Sequence, residues 1–246
     1  MEKITKVGFF HFGTGYAKPL EALESSLRAK GRDELSGALI LLPEGFNIGK
    51  CYHDQAAPEQ PEADVISRLK LKAGEYDIAF VATLILEFEG IRRNCACLID
   101  AEDDRLLCMK MVPDGMGDYK ECTSACDENN PILYGDAVLG CLICADINPS
   151  QRKSYKEVRP DRDRLAPFLG RLKSTHNQPV ILCIPAHSHV ISGPEASSSW
   201  RDYIVIFASS CGDRVDRGSR IGRYGESLAE ADGRNNVIEV RDLARN

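Results

Sequence analysis

The stretch "AVLGCLICAD", residues 137–146, decides the fold of this chain. It is an almost unbroken apolar run that stops at Ala145-Asp146, and a proline follows at position 149. Strands that are covered on both faces show continuous apolar runs of this kind. We therefore predict a buried strand of an α/β fold that ends near Cys144. Its two cysteines have three interpretations: a redox or metal pair, core side chains, or a nucleophile with a packing neighbour.

Similar runs recur along the chain and alternate with segments of helical periodicity. The predicted strands lie at 4–12, 37–43, 76–88, 93–100, 105–112, 179–186, 203–210 and 235–243. Leucines at helical spacing followed by glycine predict helices over 18–31 and 62–74, and a third segment, 161–175, is interrupted by Pro167. The "AEDD" turn at 101–104 predicts a hairpin. We expect a layered α/β architecture with a mixed sheet, in one domain spanning 1–246.

Composition narrows the classes of partner. The 246 residues include 31 basic and 37 acidic side chains, a net charge of −6, without a long run of one sign. This balance argues against nucleic acid or an anionic membrane surface as the main partner. No apolar stretch approaches the roughly 20 residues of a membrane helix. Most of the ten cysteines lie in or beside apolar runs, as reduced core cysteines do, so we predict a cytoplasmic protein.

Two charged residues, one directly after a predicted strand and one within another, are candidates for chemistry. Glu44 follows Pro43 at the end of a strand, where open α/β sheets place their ligand crevice, and a carboxylate there can act as a general base. Lys110 lies between apolar residues and can direct an ammonium at developing negative charge. The alternatives are a solvated loop glutamate and an exposed lysine on an edge strand.

The cysteine pair is better explained by one nucleophile than by a metal site. A CxxC pair needs a second pair to bind zinc, and Cys122 with Cys126 is the available one. Within a strand, however, Cys141 and Cys144 point to opposite faces, whereas a zinc or redox pair needs both sulfurs on one side of a turn. We therefore predict that Cys141 is a core residue. Cys144, at the strand end, can present its thiol to the crevice as a nucleophile.

The order Glu44, Lys110, Cys144 resembles that of the nitrilase superfamily of carbon–nitrogen hydrolases. The matching stretches are "LLPE" (41–44), "CLIDAEDDRLLCMK" (97–110) and "GCLICAD" (140–146), and the similarity extends to the closing "NNVIEVRDL" (235–243). The resemblance implies a four-layer αββα sandwich with mixed sheets, a Glu-Lys-Cys triad, and no need for a metal or organic cofactor.

The resemblance also implies a chemistry for each residue. Glu44 would deprotonate Cys144, the thiolate would attack an amide or nitrile carbon, and Lys110 with the backbone N–H of Ala145 would hold the oxyanion. The family often carries a second glutamate after the lysine, for which Glu121 is the candidate, with Asp118 behind it. We expect a small-molecule substrate, an amide rather than a nitrile, and a non-peptide C–N bond.

Two departures from the family pattern bear on the pocket and the assembly. Ala145 stands where the family usually has an aromatic residue. We expect this smaller side chain to widen or reshape the pocket. The segment after Trp200 passes almost directly into the next predicted strand, and in relatives the helix found there contributes to the dimer interface. The shortened segment therefore leaves the oligomeric state and the pocket wall open, with a homodimer as the candidate assembly.

Two other function classes remain as alternatives. One is a ligand-binding member of the same fold that lacks catalysis, although such a protein has no chemical need for all three triad residues. The other is a metal or redox protein that uses the four cysteines at 122, 126, 141 and 144. Stoichiometric zinc would favour that second class.

Overall fold

The computed structural model describes residues 3–13, 18–47, 61–88, 91–110, 129, 131–147, 168, 170–172, 178–187, 203–210, 218–223, 226–231 and 235–243. Glu121 and Asp118, the candidates for a second acid, lie outside these residues, as do Cys122 and Cys126. The second acid and the four-cysteine site therefore stay predictions.

The described elements include three helices and twelve strands. The helices are α1 (Pro19–Lys30), α2 (Arg32–Leu35) and α3 (Glu62–Tyr76). The strands are β1 (Lys6–His11), β2 (Ala38–Leu41), β3 (Ala79–Phe88), β4 (Ile91–Ile99), β5 (Asp104–Met109), β6 (Ile132–Tyr134), β7 (Ala137–Cys141), β8 (Val180–His187), β9 (Ile204–Ser210), β10 (Ser219–Arg223), β11 (Glu226–Ala231) and β12 (Val237–Asp242). Among the described helices, none combines the length and the apolar character needed to cross a membrane.

The strands form two sheets of six. The first sheet has the order β12-β1-β2-β3-β4-β5, and the second has the order β11-β10-β9-β8-β7-β6. Both are mixed: β1, β2 and β3 run parallel, as do β7, β8 and β9, while the outer pairs are antiparallel. The mixed sheets predicted from the sequence are confirmed.

Two apolar layers hold the sandwich together. One lies between the sheets and includes Phe9, Leu41 and Ile206. The other lies between the first sheet and the helices, where the buried leucines of α1 and α3 pack on side chains such as Phe10 and Phe80. Since successive residues of a strand point to opposite faces, the continuous apolar runs follow directly from coverage on both sides.

The second sheet is also covered on its outer face. Cys141 contacts Cys108 of the first sheet, so the neighbouring Gly140 faces the other way. A Cβ at Gly140 would lie 2.7 Å from Leu172 and 3.1 Å from Phe168, two residues of a helical segment. Helix, sheet, sheet and helix therefore succeed one another, and the predicted four-layer αββα sandwich is confirmed.

The carboxyl ends of the central strands of both sheets meet at one edge. The N–H of Glu44, after β2, donates to the carbonyl of Ala186 near the end of β8 at 3.4 Å. The N–H of Phe12, after β1, donates to the carbonyl of Ser209 near the end of β9 at 3.5 Å. Loops that follow the parallel strands are thus brought to a common edge, the position at which α/β folds place ligands.

Several predicted boundaries differ from the observed ones. The hairpin at 101–104 is confirmed, with β4 and β5 antiparallel and the Asp100 carboxylate accepting the N–H groups of Glu102 and Asp103. The predicted end of the strand over 137–146 is wrong. The observed strand, β7, stops at Cys141, and Cys144 lies in the 3-10 turn Cys144–Ile147. Of the helix predicted over 161–175, only residues 168 and 170–172 are described, and these are helical.

Candidate active site

A buried ion pair joins the two charged residues singled out in the sequence. Lys110 Nζ donates to Glu44 Oε1 at 2.6 Å, and the two side chains are 3% and 0% exposed. Asn94 Nδ2 donates to the same oxygen at 2.8 Å. The alternatives of a solvated glutamate and an exposed lysine are therefore wrong. The other carboxylate oxygen, Oε2, is buried and has no hydrogen-bond partner among the residues that the structure describes.

The loop that carries Glu44 is fastened to the neighbouring strand β3. The N–H of Phe46 donates to the Thr83 carbonyl at 2.8 Å. The side chain of Asn47 then substitutes for a strand residue, since its Nδ2 donates to the Ile85 carbonyl at 3.1 Å and its Oδ1 accepts the Ile85 N–H at 2.9 Å. These bonds continue the ladder past the end of β2 and fix the backbone that follows Glu44.

A side-chain amide also holds the backbone at the end of β5, directly before Lys110. The side chain of Asn129 pairs with both backbone groups of Met109, at 2.9 and 2.8 Å. Arg171 donates to the Asn129 carbonyl at 3.1 Å, which connects this support to the outer helical layer. The N–H of Lys110 itself donates to the Asn94 carbonyl at 2.8 Å.

Cys144 follows β7 with a backbone conformation that is rare for residues other than glycine. Its φ is 46°, in the left-handed region, and the residue is 2% exposed. Asp146 closes the turn, since its Oδ2 accepts the Ile143 N–H at 3.1 Å and its own N–H donates to the Ile143 carbonyl at 3.0 Å. Strained backbone of this type is concentrated at functional sites, where the surrounding structure imposes it.

The other described cysteines of this region are packing residues. Cys141 lies among buried thiols, and burial raises its pKa well above the ordinary value. Burial likewise raises the pKa of the Cys183 thiol, and it raises the pKa of Cys97 to about 12. Thiols of this kind stay protonated and unreactive at neutral pH. The predicted core role of Cys141 is therefore confirmed.

The described cysteines take part in no disulfide bond: Cys95, Cys97, Cys108, Cys141, Cys144 and Cys183. Within the described ranges, no group of three or more His, Cys, Asp or Glu side chains is arranged to hold a metal ion. Cys122 and Cys126, which the metal alternative requires, lie outside those ranges.

Of the residues selected from the sequence, Glu44 and Lys110 are in direct contact, and Cys144 lies after β7 at the corresponding edge of the second sheet. The N–H of Leu142 donates to the Cys183 carbonyl of β8 at 3.0 Å, and β8 is the strand whose end the Glu44 backbone contacts. Ala145 follows Cys144 within the 3-10 turn.

Sequence reasoning missed the three asparagines that support the pair, Asn47, Asn94 and Asn129. The one visible signal was Asn94, a polar residue at the start of the apolar run "NCACLI" in β4. It is 2% exposed in the structure, and none of the described residues donates a hydrogen bond to its Oδ1. A buried, half-satisfied amide beside two buried charges is a feature of a site rather than of a core.

No model of a known protein family matches the chain, and a comparison with curated proteins gives no match. Solved structures do resemble it. A cysteine-to-serine variant of the Nesterenkonia AN1 amidase from the nitrilase superfamily is 21% identical, with a TM-score of 0.67 over 98% of this chain and 92% of that one. A cysteine-to-alanine variant of the Nesterenkonia sp. AN1 amidase in complex with butyramide is 20% identical, with a TM-score of 0.68 over 98% and 92%.

A third structure of the same amidase shows covalent addition of the acetamide moiety of fluoroacetamide at its active-site cysteine. It is 20% identical, with a TM-score of 0.67 over 98% of this chain and 91% of that one. At this level of identity the likeness establishes the fold. The chain therefore has the nitrilase-like sandwich that its sequence predicts.

Proposed function

We propose that this protein is a thiol-dependent carbon–nitrogen hydrolase that cleaves an amide bond of a small molecule through a thioester on Cys144. The observation that carries the proposal is the buried pair of Lys110 and Glu44, in which, among the described residues, two donors hold one carboxylate oxygen and none reaches the other. The fold shared with amidases of the nitrilase superfamily supports the same reaction class.

The energetics of the pair favour a functional role. Removing a carboxylate and an ammonium from water costs several kcal/mol per ion, and a buried pair is often less stabilising than an apolar pair of the same volume. The unpartnered Oε2 of Glu44 adds a further cost. The buried pair of Glu44 and Lys110 therefore adds little to stability, and we infer that its role is in the chemistry of the site.

Acylation uses the three residues in sequence. Glu44 Oε2 takes the proton of the Cys144 thiol, and the thiolate attacks the carbonyl carbon to form a C–S bond. The carbonyl oxygen becomes an oxyanion, which the Lys110 ammonium and the backbone N–H of Ala145 stabilise. An ammonium has three N–H donors, so pairing with Glu44 does not prevent Lys110 from donating to the oxyanion.

Collapse of the tetrahedral intermediate breaks the C–N bond, and the protonated Glu44 transfers its proton to the leaving amine. Glu44, again ionised, then takes a proton from water, whose oxygen attacks the thioester carbon. The C–S bond then breaks, the carboxylic acid leaves, and Glu44 returns the proton to the Cys144 sulfur. Each step balances without a metal or an organic cofactor.

The substrate class is an amide rather than a nitrile. The butyramide complex and the acetamide adduct of the structural neighbours both involve small aliphatic amides, which supports this choice. Glu121, with Asp118, remains our candidate for a second acid near the substrate. We further propose a cytoplasmic setting, with a small molecule rather than nucleic acid or a membrane as the partner, and a homodimer as the assembly to test.

The test is ammonia release from a panel of small amides, ureido compounds and nitriles. Wild-type protein is compared with Cys144→Ala and, as a matched control, Cys141→Ala, since both cysteines are buried and lie in the same stretch. We expect turnover of at least one aliphatic amide by wild type and by Cys141→Ala, and none by Cys144→Ala.

Two outcomes would contradict the proposal. Equal loss of activity in the folded Cys141→Ala and Cys144→Ala variants would contradict a single nucleophile. It would indicate that the two cysteines act together as a pair. Absence of turnover by wild type across the panel, with tight binding of an amide, would favour the ligand-binding alternative of the same fold.

A further inference from the structure

We infer that Asn94 is a positioning residue that determines which oxygen of Glu44 transfers the proton, an inference that rests on the proposed function. Both donors to the carboxylate, Asn94 Nδ2 at 2.8 Å and Lys110 Nζ at 2.6 Å, bind Oε1. Oε2 is buried and accepts no hydrogen bond from the part of the chain that the structure describes. The carboxylate is therefore held in one orientation, with its proton-accepting capacity directed to Oε2.

The chemistry of an amide suits this position. A carboxylate only accepts hydrogen bonds, so the group that faces Oε1 must be the Asn94 NH₂, which carries donors and no ionisable proton. Asn94 can thus fix the carboxylate without exchanging a proton with it. A second lysine in its place would bring another charge into the buried site, and a hydroxyl could donate its proton elsewhere.

Asn94 also connects the two charged residues through the backbone. Its carbonyl accepts the Lys110 N–H at 2.8 Å while its side chain binds Glu44. It lies on β4, between β3 and β5, and is paired with Ile85 of β3, to whose backbone the Asn47 side chain is bonded. The same rigid strand therefore sets the separation of acid and ammonium.

The contact is not explained by packing alone. Asn94 is 2% exposed, and its Oδ1 meets no hydrogen-bond donor within the described ranges of the chain. If the residue served only for packing, we would expect either an apolar side chain or an amide whose NH₂ and Oδ1 both have hydrogen-bond partners. The reason is that an unpartnered buried acceptor is destabilising. Leucine, whose side chain has the same branching and number of heavy atoms but a larger volume, would suit such a packing role.

The experiment compares Asn94→Leu and Asn94→Asp with wild type, and an exposed asparagine variant, Asn235→Asp, serves as the control. Leucine removes the donor and the unpartnered Oδ1, and aspartate keeps the shape but has no donor when ionised. For hydrolysis of butyramide we expect kcat to fall about 100-fold in both variants, the effect of a misplaced catalytic group, with KM within about threefold of wild type. Asn235→Asp should match wild type.

The second readout needs no substrate turnover. The rate of Cys144 alkylation by acrylamide, followed by peptide mass spectrometry, reports thiolate formation and should fall by a similar factor in both Asn94 variants. If wild type alkylates selectively at Cys144 in an Asn94-dependent way but hydrolyses no amide, the positioning role stands and the proposed function fails. If wild type hydrolyses butyramide and both variants do so at the same kcat, the proposed function stands and the positioning role fails.

Two further results would overturn the inference. A raised KM with unchanged kcat would make Asn94 a substrate-binding residue. Loss of alkylation and of the unfolding transition together in Asn94→Asp, the variant closest in shape, would make Asn94 a structural residue.

Discussion

The buried pair of Glu44 and Lys110 makes a sharp prediction about stability. Lys110→Met removes the ammonium and leaves a buried carboxylate whose Oε1 still accepts from Asn94. Glu44→Gln removes the negative charge and leaves a buried ammonium. The double variant removes both charges. We expect each single change to be strongly destabilising and the double variant to be more stable than Lys110→Met alone.

The magnitude follows from the geometry. At 2.6 Å and an effective dielectric constant of about 20, the attraction of two unit charges is about 6 kcal/mol. Desolvation of the two ions offsets most of this, so the pair adds little net stability. Breaking a buried pair from one side, however, costs about 3–5 kcal/mol, a large fraction of the roughly 5–15 kcal/mol by which proteins of this kind are folded.

The assay is urea unfolding of the four proteins at neutral pH, followed by circular dichroism. The coupling free energy from the double-mutant cycle should be at least about 2 kcal/mol, because neighbours within one buried network are non-additive. If Lys110→Met and Glu44→Gln each cost less than about 1 kcal/mol and their effects add, the two charges are not a buried pair and the described site is wrong. If Lys110→Met does not fold, the double variant should recover folding, and its failure to do so would equally refute the pairing.

Two further predictions concern the sandwich. Gly140→Ala should lower the free energy of unfolding by about 1–3 kcal/mol, since its Cβ would lie 2.7 Å from Leu172. Gly170→Ala, where a Cβ meets no described residue within 4 Å, should be neutral or slightly stabilising because alanine favours the helix. Thermal melts of both variants decide this, and equal Tm values would contradict the close approach at Gly140. Burial raises the pKa of Cys97 from 9.0 to about 12, so the unfolded chain loses this proton first. The stabilisation is complete below about pH 9 and falls by up to about 1.4 kcal/mol per pH unit as pH rises towards 12. Cys97→Ala should show a shallower decline in urea midpoint between about pH 8 and 11, and an identical slope would refute the assignment.

The sequence predicts the layers well because burial on both faces leaves an unmistakable pattern. Each central strand, such as β2 or β8, is apolar at nearly every position. The edge strands β6 and β11 were missed for the converse reason, and the short β10 beside β11 was missed as well. In β11, "ESLAEA", only Ala229 is buried, so no periodic apolar signal distinguishes it from a loop.

The end of β7 shows where a hydrophobic pattern misleads. Leu142, Ile143 and Cys144 continue the apolar run and are all buried, yet the strand stops at Cys141. Apolar character reports burial and not extended backbone, so it cannot mark the point at which the chain turns. The left-handed φ of Cys144 could not be predicted either, because the position holds neither glycine nor asparagine, the residues that usually adopt this conformation.

The charged residues of the candidate site were predictable and their supports were not. Glu44 and Lys110 stand at strand ends, where their charge contrasts with the apolar run before them. Asn47 and Asn129 act by bonding to the backbone of other strands, at Ile85 and Met109. Such pairings depend on which loop meets which strand, and this is known only once the sheets are assembled.

The proposed reaction requires that the Cys144 sulfur carry the acyl group during turnover. The most direct test is rapid acid quenching of the protein during hydrolysis of butyramide, followed by peptide mass spectrometry. We predict a butyryl thioester on the peptide containing Cys144, present in wild type and absent in Cys144→Ala. Turnover of butyramide without any acylated Cys144, or with the acyl group on Cys141, would contradict it.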